Sequence, residues 1–256
     1  MCIFSRQPSA DLEQGHSRQS LRYAGLAFAI FFPTLITWGY IVFAERYSTG
    51  IQQTVYLTAK VIQFAFPAVW AYFILREPLR TSRPTTSGLL MGIAFGTVVA
   101  GAGVAIFNLF LRGNPVFTSA AGLIQTKIVA FGIDSDVKYF LLAGFYSLFH
   151  SLLEEYYWRW FVFQQLRRVL PLWAAVVVSG VAFTLHHVVV LVVYFKTQYL
   201  LIAVLAFAVA IGGWFWAWLY SRSNSIFDTW LSHLLIDAGI FFGVGFELVK
   251  PLLIAG

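Results

Sequence analysis

The chain has 256 residues, 59% hydrophobic and only 11% charged. No soluble globular domain of this length has that balance, so the chain belongs in a membrane. Its formal net charge of +6 does not point to nucleic acid, because the basic residues sit mostly in short loops, where membrane topology and anionic headgroups account for them.

Residues 1–21 are a polar tail, expected to be disordered, with no apolar core of the kind that precedes a signal-peptide cleavage site. The single cysteine, Cys2, rules out an internal disulfide and a cysteine-rich metal site. Apolar runs follow at 22–44, 51–75, 87–111, 139–166, 172–195, 198–220 and 226–246. Each can cross a hydrocarbon core of ~30 Å, and none alternates as a strand would. Helices satisfy their own backbone in lipid, so the expected fold class is all-α, a polytopic transmembrane bundle of about seven spans.

Residues 22–135 read as N-terminal scaffold with its loops. Lys60 lies midway along the second run, where a lysine is costly; it snorkels, pairs with an acid, or gates a substrate. Leu75 to Ser87 is a clear loop. In the third run Gly88, Gly92 and Gly96 fall four apart, a stripe for close helix contact. Segment 115–133 is apolar but broken by Gln125 and Lys127, and reads as interfacial or partly inserted; if it crosses, the spans number eight. Residues 136–249 form the core that carries the chemistry, and 250–256 are a C-terminal tail.

With seven spans, one membrane side holds Arg6, Arg18, Arg22, Arg76, Arg80, Arg83, Arg167, Arg168 and Arg222. The other holds Arg46, Arg112, Lys138, Lys196 and Lys250. Eight spans give the same nine-to-five division with different members. Either way the positive-inside rule puts the N-terminus in the cytoplasm. Short loops and a compact chain favour a bacterial inner membrane.

The fourth run carries Glu154-Glu155-Tyr156-Tyr157-Trp158-Arg159. Charges at bilayer depth each cost roughly 2.5–3.5 kcal/mol on insertion scales, so they mark function. Residues four apart share a helix face, which makes Glu155 and Arg159 partners and leaves Glu154 as the free acid. His150, one turn earlier, can tune that acid or make a plain interhelical hydrogen bond. The fifth run places Phe183 and His187 on one face, with His186 turned roughly 100° away as a packing or backbone-bonding histidine. The last run places His233 and Asp237 on one face. Measured from one membrane side, Glu154, His187 and His233 lie at depths of roughly 18, 22 and 11 Å, compatible with one shared site.

Glu-Glu-x-x-x-Arg, Phe-x-x-x-His and His-x-x-x-Asp, in this order on successive apolar segments, resemble the CPBP intramembrane proteases. That family includes the CAAX prenyl endopeptidases and bacterial relatives linked to bacteriocin self-immunity. The resemblance covers about 150 to 240, and Asn224-Ser225-Ile226 resembles the family's entry into its last motif. It implies a glutamate-type intramembrane endopeptidase. Glu154 would activate water, assisted by His187, and His233 and Asp237 would stabilise the oxyanion. Glu155, Arg159 and Phe183 would support the site, with His150 behind it. The departure is Asp237, where the family often has Asn. An ionised Asp cannot donate a hydrogen bond, so the expectation is that it accepts from His233 and orients that ring.

No cofactor is favoured. Zinc is the alternative, on Glu154, His187 and His233 with His150 nearby, although nothing matches His-Glu-x-x-His. The expected partners are a membrane-associated protein or peptide substrate and the lipids. Nothing selects a prenylated substrate, and oligomeric state is open. Two other function classes compete. One is a proton-coupled transporter, against which stand the absent internal repeat and the absent pair of broken helices. The other is a non-catalytic immunity or regulatory protein of the same fold.

Overall fold

The computed structural model describes residues 8–43, 47–77 and 81–253. Eight helices and no strand occur among the described residues. Helix α1 (Pro8–Trp38) continues as a π-helical turn over Gly39–Phe43, α2 (Thr49–Val69) over Trp70–Ile74, and α3 (Thr86–Ile106) over Phe107–Leu111. Next come α4 (Pro115–Ala130), α5 without interruption from Asp136 to Arg167, α6 (Leu172–Phe195) and α7 (Tyr199–Ser223). Helix α8 runs from Ile226 to Leu253. This is the all-α bundle the composition predicts.

Ser17–Ile41, Thr49–Ile74, Thr86–Leu111, Leu172–Phe195, Tyr199–Ser223 and Ile226–Pro251 are long and apolar enough to cross a membrane, and the protein is integral to it. Helix α5 is long enough as well, but Glu154, Glu155 and Arg159 interrupt its apolar character. Two boundaries differ from the sequence reading. Where a disordered tail is expected over 1–21, the chain is helical from Pro8, because elongating an existing span needs no new helix nucleus. The C-terminal tail expected from 250 is helical as far as Leu253. Residues 1–7, 44–46, 78–80 and 254–256, and with them Arg6, Arg46 and Arg80, lie outside the described residues.

Segment 115–133 lies across one end of the bundle. Asn114 caps α4 through its side chain on the Val116 amide at 2.9 Å, and Pro115 takes the first helical position. Phe117 packs on Phe195 with ring centroids 5.3 Å apart, Gln125 donates to the Leu248 carbonyl at 2.8 Å, and Lys127 lies over the Tyr40 ring. All three partners belong to the same ends of α6, α8 and α1. At 16 residues α4 measures about 24 Å, too short to span. Gly113 and Gly132, both at positive φ, turn the chain into and out of it.

The opposite end gathers Arg22, Arg83, Arg167, Arg168 and Arg222. Here Glu77 accepts from Arg22 at 2.8 Å and from Gln165 at 2.9 Å, with Arg168 at 3.5 Å, and Arg22 also donates to Gln165. Burial pushes the Glu77 carboxyl up. The two hydrogen bonds and the charges of Arg22 and Arg168 outweigh it and hold the carboxyl below its ordinary value. The cluster ties α1 and the loop after α2 to the end of α5.

Two small-residue contacts set the register of the functional helices. A Cβ at Gly92 would come within 2.5 Å of the Asp228 carbonyl, and one at Gly96 within 2.8 Å of the Ser232 carbonyl. The glycine stripe is therefore the seat of α8. Asp228 locks it by accepting from the Thr85 amide at 3.1 Å and the Thr85 hydroxyl at 3.0 Å. Gly180 and Gly213 do the same for α6 and α7: a Cβ on Gly213 would meet the Gly180 Cα at 2.9 Å.

Candidate active site

Helix α5 enters the centre of the bundle at Ser151–Glu155 and passes into a π-helical stretch, Tyr156–Phe163. The wider π turn presents more of its circumference to neighbours, and seven of its residues, Tyr157 to Phe163, are buried. Glu154 and Glu155 stand just before it, both buried, and diverge as adjacent helical residues must.

Glu155 has two partners. Its Oε2 lies 3.2 Å from Arg159 Nε, the i,i+4 pair the sequence predicts, and its Oε1 accepts from His233 Nδ1 at 2.9 Å. Arg159 is fully buried, its guanidinium 4.9 Å from the Phe183 ring centroid and 5.1 Å from that of Trp216. A charge so enclosed demands a counter-charge, which Glu155 supplies.

With Nδ1 committed to Glu155, the His233 ring turns Nε2 toward Glu154 Oε2 and Asp237 Oδ1, each 3.7 Å away. Trp216 stacks on the ring at 4.1 Å with planes 19° apart, and Phe183 meets it edge-on at 5.9 Å. Trp216 is itself fixed by donating to Ser232 at 3.1 Å. His233 is thereby clamped in plane and in rotation. The expectation that Asp237 accepts a hydrogen bond from His233 is corrected: 3.7 Å suits ion pairing but exceeds a hydrogen bond, and Glu155 orients the ring instead.

Glu154 faces two histidine-bearing helices. Its Oε1 is 3.4 Å from His186 Nε2, and its Oε2 is the oxygen that faces His233. His187 lies beside His186, ring centroids 4.1 Å apart, with its Nδ1 3.0 Å from the Phe183 carbonyl. Glu154, His186 and His187 each bring one ligand atom within 4.8 Å of the others, so a divalent cation fits these three donors better than the predicted Glu154, His187 and His233. The carbonyl bond on Nδ1 of His187 is the kind of support a metal-binding imidazole uses.

The structure therefore brings Glu154, His187, His233 and Asp237 to one place, with Glu155, Arg159 and Phe183 behind them. His150 packs between Tyr146 and Phe64, centroids 4.9 and 5.9 Å away, within electrostatic reach of Glu154. The sequence reading set His186 aside as a packing or backbone-bonding histidine, whereas its Nε2 lies 3.4 Å from Glu154. A helical wheel sets His186 and His187 roughly 100° apart, yet each brings a ring nitrogen within 4.8 Å of a Glu154 carboxylate oxygen. Trp216 gave no signal among nine tryptophans.

Residues 136–239 match the family model described as type II CAAX prenyl endopeptidase Rce1-like. The match begins with α5 and ends just after Asp237, so it contains every residue of the site and leaves α1–α4 outside. No curated protein and no solved structure matches the chain.

Proposed function

From an Rce1-like segment of a protease family, embedded in a bundle of apolar helices, we propose that the protein is an intramembrane endopeptidase using a glutamate-activated water. Its substrate is a peptide bond of a membrane-associated protein or peptide. The observation that carries this reading is the placement of His233. The 2.9 Å bond to Glu155 fixes Nδ1 and turns Nε2 to within 3.7 Å of Glu154, in a site lined by Trp216 and Phe183.

The steps follow from the atoms. Glu154 takes a proton from a water bound against its carboxylate, beside His186, and the hydroxide adds to the scissile carbonyl carbon. Charge develops on the carbonyl oxygen, and His233 donates to it from Nε2. A positioned donor of this kind is worth roughly 10²–10³ in rate. Glu154, now a carboxylic acid, returns the proton to the leaving amine as the C–N bond breaks. Glu155 and Arg159 hold the ring that meets the oxyanion.

A zinc-dependent hydrolase is the second reading, favoured by the clustering of Glu154, His186 and His187. A cation there would supply Lewis-acid polarisation of water or carbonyl, with those three residues holding it and a fourth position open. One experiment separates the two: cleavage of quenched membrane peptides by reconstituted wild type and Glu154→Gln, with and without EDTA. Activity that survives chelation and is lost in Glu154→Gln supports the glutamate mechanism. Loss on chelation with recovery on added zinc establishes the metal. Equal cleavage by both proteins sinks the assignment of Glu154. The positive-inside count supports a cytoplasmic arginine-rich end, and the short loops and compact chain favour a bacterial inner membrane as the compartment.

A further inference from the structure

Lys60 stands on α2, outside the family-matched segment, about 16 Å from the start of that helix at Thr49. A lysine at such depth is expensive and calls for an anion. Among the described residues no carboxylate lies within ion-pair distance of it. Its Nζ donates to Gln63 Oε1 at 3.2 Å and rests 5.7 and 5.5 Å from the Tyr56 and Phe64 ring centroids. One of three N–H donors is thus committed, and the ring faces steady the charge without neutralising it.

The same face of α2 meets the face of α5 that leads to the site. The Tyr56 and Tyr146 hydroxyls are 3.3 Å apart, and Phe64 sits edge-on to His150 at 5.9 Å and to Tyr157 at 6.3 Å. Glu154 lies within electrostatic reach of Lys60. The ammonium therefore borders the hydrolytic site from the scaffold side. Resting on the endopeptidase reading above, we infer that Lys60 is a specificity residue that binds a substrate carboxylate close to the scissile bond. The carboxylate is the free C-terminus of a short leaving peptide or an acidic side chain within it. An extended chain rises at most ~3.6 Å per residue, which limits that group to the first few residues beyond the bond.

The test uses a quenched hydrophobic nonapeptide ending in Leu-Leu-Phe, made as the C-terminal acid, as the amide, and as the amide with Asp at the penultimate position. Full-length protein in nanodiscs is assayed as wild type and Lys60→Met. Wild type is expected to favour the acid over the amide by at least about tenfold in kcat/KM, and Lys60→Met to erase that ratio. Preference for the acid alone identifies the chain end, and equal preference for the Asp amide identifies the side chain. An undiminished ratio in Lys60→Met overturns the inference. So do equal losses on all three peptides, which would make Lys60 a counter-charge to Glu154. Binding of the same peptides, fluorescein-labelled, to Glu154→Gln with and without Lys60→Met decides the matter without turnover. If nothing is cleaved yet the acid binds through Lys60, the endopeptidase reading fails and the carboxylate site stands. If acid and amide bind alike, or neither binds, the carboxylate site falls.

Discussion

The two halves of α5 form opposite environments. From Tyr157 to Phe163 every side chain is buried, whereas Val137, Leu141 and Phe149 in the other half are 60% exposed or more. Glu154 and Glu155 occupy the junction. The packed half supplies rigidity, because Arg159, Trp158 and Tyr157 cannot shift without disturbing α1, α6 and α7; Tyr157, for instance, donates to the Ala29 carbonyl at 2.8 Å. The looser half leaves lipid-facing surface past which a substrate can approach. The proposed hydrolytic site would need both, and the boundary is where one helix offers them.

The sharpest way to test that division is at the boundary itself. Glu154→Gln is expected to lower turnover by roughly 10²–10⁴ while leaving the thermal midpoint in detergent near wild type. A variant keeping a tenth of the activity, or one that fails to fold, would place Glu154 with the packed half instead. Arg159→Met should act the other way. Leaving Glu155 buried without its arginine counter-charge costs about 3–5 kcal/mol, read as a shift in the unfolding midpoint. Adding Glu155→Gln should recover part of it, and full additivity of the two changes would contradict the pairing.

A paired aromatic truncation compares the halves directly. Phe161, 1% exposed, and Phe149, 60% exposed, are each changed to Ala. Lost packing and the residual void together cost about 3–5 kcal/mol at Phe161, against about 0.5 kcal/mol or less at Phe149. Similar losses at both sites would abolish the contrast. The smallest effect concerns the tether at the end of the packed half. Glu77 has its carboxyl held below the ordinary value of about 4.5, so its stabilising contribution is complete above that pH and fades as pH falls through the lowered value. Glu77→Gln should melt below wild type at pH 7, with the gap closing only in acid. A gap that persists unchanged in acid would assign the loss to shape rather than charge.

Much of this was legible in the sequence because bilayer physics leaves few options. Runs such as 172–195 can only be helices in lipid, and a Glu155–Arg159 pair four apart can only meet on one face. The glycines at 88, 92 and 96 announced a close contact but not its partner. Which helix sits on them depends on Asp228 and Ser232, 140 and 136 residues further along from Gly88 and Gly96, and no local pattern encodes that. The convergence of Glu154, His187, His233 and Asp237 was legible, and the wiring among them less so. Helical periodicity gives directions on one helix, whereas the Glu155–His233 bond, the approach of His186 and the stacking of Trp216 depend on how helices are rotated against one another. The direct hydrogen bond expected between Asp237 and His233 is absent for that reason. Its distance from His233 is set by a ring already turned by Glu155.

Helix α5 also has a consequence for how the chain enters the membrane. A translocon reads a nascent protein segment by segment, and α5 presents Glu154, Glu155 and Arg159 before α8 exists. Each charge exposed to lipid costs roughly 2.5–3.5 kcal/mol, and only the Glu155–Arg159 pair is local to the segment. His233, the remaining partner of Glu155, is synthesised 78 residues later. The charges therefore weigh against insertion of α5 when it is made, and are compensated once α6, α7 and α8 close around it. Expressed alone, α5 should insert less readily than when α6, α7 and α8 follow it.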